Sequence, residues 1–548
     1  LPKNQKSFSV MAKLYPLSTL LCIILLFPIY SSADSINVSG IVSGTWDVDT
    51  VKVIDNIHLN ETETLQINPG VTVEFQGTWF FNISGAITAV GTASEPIHFT
   101  INDTSGFLID SIPNGGWKGI RFKGQHIDTD SSRFSYCNFE YGKAVTEDSI
   151  YNHGGAMCIR GSHKISITNC NFSNNFASLN GGAIYLESAS VLMTDNSFHN
   201  NRSGLPIAPW GYGGAVCSDW SVPLIARNIF TGNSSTGIAG GLCVRYSDCT
   251  VSHNIFDNNH SALGGGFGIL HIDTCHHTIN NNLIINNNAT FFGNGISNNN
   301  CSPIYVNNTI AYNWGAVGGF YCKDSVVPNL YNNIIWGNTG YGGEPSQVYL
   351  MDYLAQPNFY FNNIDGGVSA LLGSGGAAFS GEYVGNIDTD PHFVGGDPFN
   401  WGLENSTACV NAGTVDTTGL MIPRFDLASH TRIIDSRIDM GAFENQSAAG
   451  INSMEGFTSA ILRNPYPNPA HESIEISFYF PWQGKADISI HGSDGRLITK
   501  LPEQVYEAGS HTVVWDLDDQ QDQQVPPGVY IIQMDTGISS LKKKVIVL

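Results

Sequence analysis

The chain has 548 residues, 42% of them hydrophobic and only 13% charged, with 59 glycines and a formal charge of −22. This is too apolar for a disordered chain and too sparsely charged for a helix-rich one, and the length implies more than one domain. With no surplus of Lys and Arg to release counterions, nucleic acid is excluded as a partner and anionic membranes are disfavoured.

Residues 1–10 precede the first methionine, Met11. Lys13 then gives a positive start, Leu17 to Tyr30 an apolar run of about fourteen residues broken by Pro28, and Ser31-Ser32-Ala33 a small-residue cleavage site before Asp34. The run is shorter than the ~20 residues that cross a bilayer, and no Cys stands at the cleavage point for a lipid anchor. Residues 1–33 therefore read as upstream residues plus a secretory leader, and no later stretch reads as transmembrane. Eleven cysteines become ten once Cys22 leaves, an even number that permits disulfides in an exported chain.

From about residue 131 one template recurs, Asn-x-(Phe/Ile)-x-x-Asn. It stands as Asn196-Phe198-Asn201, Asn228-Phe230-Asn233, Asn254-Phe256-Asn259, Asn282-Ile284-Asn287, Asn308-Ile310-Asn313 and Asn333-Ile335-Asn338. Cys170-Phe172-Asn175 is the same template with Cys first, and Cys137-Phe139 is a worn copy. Between copies comes a Gly-Gly-small-apolar motif, "GGAM" at 154, "GGAI" at 181, "GGAV" at 213, "GGLC" at 240, "GGFG" at 265 and "GGFY" at 318, with "GNGI" at 293 as a variant. A fixed period means a repeat architecture, and the segments lack helical spacing. Units of about 25 residues with short apolar strands predict an all-β fold, the coils of a parallel β-helix stacked at roughly 4.8 Å. Asn belongs at the corners because it tolerates positive φ and stacks into hydrogen-bonded ladders.

The cysteines keep the same register. Cys249, Cys275 and Cys301 are 26 apart, and Cys137 and Cys170 share the first template position on neighbouring coils. They are disulfide candidates, or else a stack of buried free thiols; no zinc-type spacing appears.

The alternation of "GGA(I/V)" with Phe172-Asn175, Phe198-Asn201, Phe230-Asn233 and Phe256-Asn259 resembles the chlamydial polymorphic outer membrane proteins over residues 130–340. That resemblance implies a right-handed parallel β-helix of the pectin lyase-like kind, used for adhesion or surface display, and brings no catalytic residues with it. Residues 34–130, with "LQINPGVTVEFQG", "ITAVGTASEPIHFT" and Trp117-Lys118-Gly119-Ile120, resemble the opening coils and cap of secreted bacterial β-helices. Repeats are expected over 131–380. Residues 381–445, with "DPHFVGGDPFNWGLENSTACVNAG" and "DSRIDMGAFE", resemble the end cap of exported β-helices that carry varied anchors. Residues 446–462 read as a linker. Residues 463–548 alternate strands with Gly/Asp turns, a small antiparallel immunoglobulin-like sandwich. Pro467-Asn468-Pro469, Asp494-Gly495, Gly528-Val529-Tyr530 and Lys542-Lys543-Lys544 resemble the C-terminal sorting domain of type IX secretion in Bacteroidetes-like bacteria. This implies export through the periplasm, contact with that machinery, and release or attachment at the cell surface.

Chemistry has two candidate places. Counting six residues from the first Gly of each pair gives a column of Arg160, Glu187, Asp219, Tyr246, His271, Asn299 and Asp324. It is expected to face solvent, because buried columns in a β-helix are apolar. An ordinary solvated face with both signs of charge is the first reading of this column; against it, Glu187 and Asp219, on neighbouring coils, are candidates to bind Ca²⁺ or, second to that, to act as a carboxylate pair, with His271 as a further catalytic candidate. The second place is a pair of long loops, "KAVTEDSIYNH" and "RSGLPIAPWGY", expected on one edge, one coil apart. They carry Tyr151, His153, Trp210 and Tyr212, with Trp220 nearby, aromatic groups against which sugar faces stack. No GxSxG, HExxH or phosphate loop is present. The residues point to a secreted or surface β-helix that binds extracellular polysaccharide or cell-surface glycans. A polysaccharide lyase or glycoside hydrolase and a passive surface protein are the alternatives.

Overall fold

The computed structural model describes residues 34–122, 131–161, 164–206, 210–270, 277–395, 401–434, 437–446 and, with short gaps, 461–547. The leader, Cys22, His271, Cys275, most of the linker, Pro467-Asn468-Pro469 and Asp494 lie outside the described residues.

One coil stands for the rest. Ile184–Glu187 is followed by Val191–Thr194, Ser197–His199 and the two-residue strand Arg202–Ser203, and the next coil begins at Val216–Asp219. Each strand pairs in parallel with its equivalents in the coils before and after. The result is four parallel ladders wound about one core, named here the Gly, second, Phe and short-strand ladders. Alternation along each strand turns Ile184, Leu186, Val191, Met193 and Phe198 inward, all buried. Register makes the core a set of columns. Phe99, Phe139, Phe172, Phe198, Phe230 and Phe256 stack ring on ring with centroids 4.7–5.0 Å apart, and Ile284, Ile310 and Ile335 continue them.

The asparagines divide their duties in a way the template did not distinguish. Positive φ falls on the residue before the template position, as at Asn281 (φ 53°) and Asn286 (φ 55°), while the ladder amide is the next residue, Asn282 or Asn287. Two buried ladders result. One runs from Asn196 through Asn228, Asn254, Asn282, Asn308, Asn333 and Asn362 to Asn386, and the other from Asn175 through Asn201, Asn233, Asn259, Asn287 and Asn313 to Asn338, where Gln347 Oε1 closes it. Each interior amide uses both its oxygen and its nitrogen, so no ladder amide is stranded in the core.

Residues 381–445, expected as an end cap, begin on the last coil and then leave it. Tyr383–Val384 does pair with the last full coil, but the chain then turns back along the flank of the Phe ladder as a strap. There Trp401, Ala442 and Phe443 cover Ile255, Leu283, Ile285 and Ala311, and Leu403 and Met440 cover Ile334. The cause is the outward face of that ladder. Early strands present Asn138, Asn171 and Ser197, whereas later ones present Ile229, Ile255, Leu283 and Ile334 at the same register, and an apolar outward row has to be buried. Asn281 Nδ2 donates to Phe425 O (3.0 Å) and Asn307 Nδ2 to Asp439 O (2.8 Å), while Asn332 Oδ1 accepts from Thr414 N (2.7 Å). Inside the strap Asp426, Arg432, Asp439 and Glu444 are all buried, and burial pushes the Glu444 carboxyl up to about 9.

The last described segment forms two antiparallel sheets, Ile461–Leu462, Ile474–Phe480 and Gly509–Trp515 against Leu497–Lys500, Gly484–Gly492, Gly528–Asp535 and Ser540–Val547, with Gln504–Tyr506 on the edge of Gly484–Gly492. Their shared core includes Ile474, Phe478, Ile488, Trp515, Ile532 and Val545. Among the described residues no helix is long and apolar enough to cross a membrane.

Candidate ligand-binding site

The Gly ladder is built on a backbone that few residues tolerate. Gly154, Gly181 and Gly213 open its strands at φ 60°, 65° and 65°, and a Cβ there would sit 2.0–2.1 Å from the carbonyl oxygen of Met157, Ile184 or Val216. In the next coil Ala239 takes that place at φ 63°. The Gly pair has slipped by one residue, and the pairing of Val216–Asp219 is with Leu242–Arg245. The column therefore reads Arg160, Glu187, Asp219, Arg245, Leu270, Asn299 and Lys323. Tyr246 and Asp324 fall one residue beyond it, at corner positions with φ 47° and 69°.

Glu187 and Asp219 are direct strand partners, yet they do not form a carboxylate pair. Each is neutralised by its own arginine. Arg160 Nε binds Glu187 Oε2, and Arg245 grips Asp219 through Nε to Oδ1 at 2.6 Å and NH2 to Oδ2 at 2.7 Å. Tyr185 Oη donates to Asp219 Oδ2 at 2.9 Å, and burial, then the Asp219 charge, holds that phenol above its ordinary pKa. Asp219 is only 2% exposed, whereas the Glu187 side chain is 40% exposed, so the column faces solvent at some coils and not at Asp219, whose two oxygens are occupied. That leaves no pair of carboxylates for Ca²⁺ here, and among the described residues no group of three or more His, Cys, Asp or Glu is placed to hold a metal ion.

The two long loops leave the short-strand ladder at Lys143–Ala144 and Arg202–Ser203, with Phe176–Ala177 paired between them, so a full coil separates them. Three of their expected ligand contacts instead pin the loops down. Tyr151 packs on Phe80 (5.4 Å), His153 stacks on Tyr185 (4.4 Å), and Tyr212 lies under the Arg245 guanidinium (4.5 Å). Burial, then the charges of Arg160, Arg121 and Arg245, push the His153 imidazole down to about 3, so it is neutral. Trp210 and Trp220 stand out, 51% and 63% exposed. Trp210 flanks Gly237 of the following coil. Trp220 stacks on Tyr246 with centroids 4.5 Å apart and planes 14° apart, beside the Asp219 and Arg245 pair. This aromatic stack, here named the shelf, thus stands next to a charge-balanced row, with Trp220 as its exposed member.

A third long loop, residues 102–116, escaped the count of copies, which began at Cys137. Phe99-Thr100-Ile101-Asn102 keeps the Phe-x-x-Asn spacing and signals it. Its fold is set by the buried Lys143, whose Nζ donates toward the carbonyls of Gly106, Phe107, Ile109 and Asn114 at 2.9–3.0 Å. Burial lowers this ammonium to about 8. The loop walls a groove on the short-strand face that contains cavities of about 320 and 520 Å³.

The disulfide candidates separate. Cys301 is disulfide-bonded. Cys137, Cys170 and Cys249 are free and buried. Cys137 Sγ donates to Ala89 O (3.3 Å) and Cys170 Sγ to Thr168 O (3.3 Å), so both thiols behave as capped core residues, and burial raises the Cys137 pKa well above the ordinary value.

Two family matches agree with this architecture. Residues 118–302 match the family of the right handed beta helix region, and residues 464–548 match the secretion system C-terminal sorting domain. No curated protein sequence matches the chain. Among solved structures, latent PorU from Porphyromonas gingivalis is 20% identical over 17% of this chain and 10% of that one (TM-score 0.15). An alginate lyase from Paenibacillus sp. str. FPU-7 is 9% identical over 52% and 91% (TM-score 0.19). The enzymatically active domain of tailspike protein 2 from bacteriophage CBA120 is 11% identical over 94% and 72% (TM-score 0.20). The chain thus spans about a tenth of the length of PorU.

Proposed function

From a chain that is a right-handed β-helix with a type IX sorting domain, and so is secreted to the cell surface or beyond it, we infer a polysaccharide-binding protein that does not turn its ligand over. The observation that carries this reading is the exposed shelf of Trp220 stacked on Tyr246. A sugar ring offers one face of C–H groups that packs on an aromatic plane, and a rigid shelf loses little entropy on binding. Repeating coils suit a repeating polymer, because successive coils present contacts at successive positions along the axis. Catalysis by a carboxylate pair is disfavoured by the arginine on each of Glu187 and Asp219, since a glycosidase needs one protonated and one free carboxyl flanking the bond.

An unbiased glycan array with the full chain tests the reading. Binding to one or more polysaccharides that is lost in Trp220→Ala is the expected result. Release of reducing or unsaturated ends that stops in Glu187→Gln makes the protein a polysaccharide lyase or glycosidase instead. If no glycan binds, the passive surface role is favoured.

A further inference from the structure

The groove on the short-strand face brings together a second set of ligand-binding groups, apart from the Trp220 shelf. Its 320 Å³ cavity is lined by Asp110, Arg202, Ser234, Thr236, His260 and Phe291, among others. The guanidinium is already matched. Arg202 NH1 reaches Asp110 Oδ2 at 2.9 Å and NH2 reaches Oδ1 at 2.8 Å, so an anionic ligand finds no unbalanced cation in this pair. The imidazole is oriented by the final asparagine of the "NNNLIINNN" stretch. Asn288 Nδ2 donates to Trp314 O at 2.8 Å, which fixes its amide and turns Oδ1 to His260 Nδ1 at 2.6 Å. With Asn288 Oδ1 facing Nδ1, the imidazole tautomer that fits carries its proton on Nδ1 and leaves Nε2 as a lone-pair acceptor.

Hydroxyls complete the polar side. Thr236 Oγ1 accepts from Gly211 N at 3.0 Å and retains its own proton to donate. Ser234 lines the same wall, and so does Ser203, whose buried hydroxyl has no hydrogen-bond partner. Phe291, 50% exposed, supplies an apolar plane. An acceptor nitrogen, several hydroxyls, an aromatic face and a cancelled charge together match a ligand rich in hydroxyl groups, uncharged, and with one apolar face.

We propose that this groove is a separate binding site for one or two neutral sugar units, with a sugar hydroxyl donating to His260 Nε2 and the ring packing on Phe291. The volume is at the low end for ligand pockets, which limits the occupant to a short unit. The neighbouring 520 Å³ cavity shares Arg202 and Ser234 and gives a longer oligosaccharide a path toward Phe107 and Leu108.

Isothermal titration and saturation-transfer NMR on the full chain, with neutral disaccharides built from glucose, galactose and mannose and with matched uronic-acid disaccharides, decide it. At least one neutral disaccharide is expected to bind. Its affinity should fall fivefold or more in His260→Ala and in Phe291→Ala and stay within twofold in Trp220→Ala, with melting curves confirming that the variants fold. The uronic acids should bind more weakly. The proposal is overturned if no neutral disaccharide binds, if uronic acids bind better, or if the loss follows Trp220→Ala rather than His260→Ala. Polymer binding, read separately on the array, reports on the shelf and not on this groove.

Discussion

A single amide at Asn282 joins three coils. Its oxygen accepts from both the backbone nitrogen and Nδ2 of Asn254, and its nitrogen donates to Val251 O and Asn308 Oδ1, all at 2.9–3.0 Å. Asn282→Ala strands these groups in a dry core, at about 1–3 kcal/mol for each left without a partner. A loss of several kcal/mol is expected in chemical denaturation, far beyond that of Asn286→Ala, whose side chain meets Asp257 Oδ1 at the exposed surface. The six asparagines of "NNNLIINNN" were legible as corners because the period repeats them. Their separate partners were not, since the strap held by Asn281 and the imidazole oriented by Asn288 come from elsewhere in the chain. His153 sets a second test. Its pKa lies at about 3 against an ordinary 6.5, so the unfolded chain takes up the proton first, and the stability is present above pH 6.5 and lost as pH falls toward 3. Melting temperatures measured between pH 7 and 4 should fall less in His153→Phe, which keeps the stack on Tyr185, than in the wild type.

At the scale of elements, the strap was hidden for a physical reason. Residues 386–446 have no repeat of their own, and their place is fixed by long-range packing on outward residues of the Phe ladder. The signal lay in the coils, where strands such as Leu283–Ile285 and Ile334–Trp336 lose the alternation that earlier strands keep. The Gly ladder misled in the opposite way. Its motif was visible, but Ala239 in a left-handed position shifted the Gly pair by one and replaced Tyr246 with Arg245 in the column. The strap also carries a pH signature. Glu444 titrates at about 9 when folded against an ordinary 4.5, so its contribution is full below pH 4.5 and declines as pH rises toward 9. Glu444→Gln, neutral throughout, should flatten that decline. Limited proteolysis of the strap at pH 6 and pH 9 reads it directly, with faster cleavage at pH 9 in the wild type only.

Across the whole molecule, a regular stack of coils gives stability and a long surface, and its very regularity withholds chemistry. Columns formed by register place like residues over like, and the candidate sites lie at the inserted loops and at the regular corner where the side chains of two successive coils happen to be Trp220 and Tyr246. The fold was readable because each coil restates it, whereas the candidate site depends on arginines that complete the Glu187 and Asp219 pairs, and one of them, Arg245, sits off the motif count. The most direct test of a binding protein without turnover is the affinity of the full chain for the polysaccharide that binds best on an array, in the wild type and in Trp220→Ala. At least tenfold weaker binding, about 1.4 kcal/mol, with no new chain ends released by either protein, is the predicted result. Equal affinity of the two proteins, or chain ends that accumulate with the wild type, would contradict it.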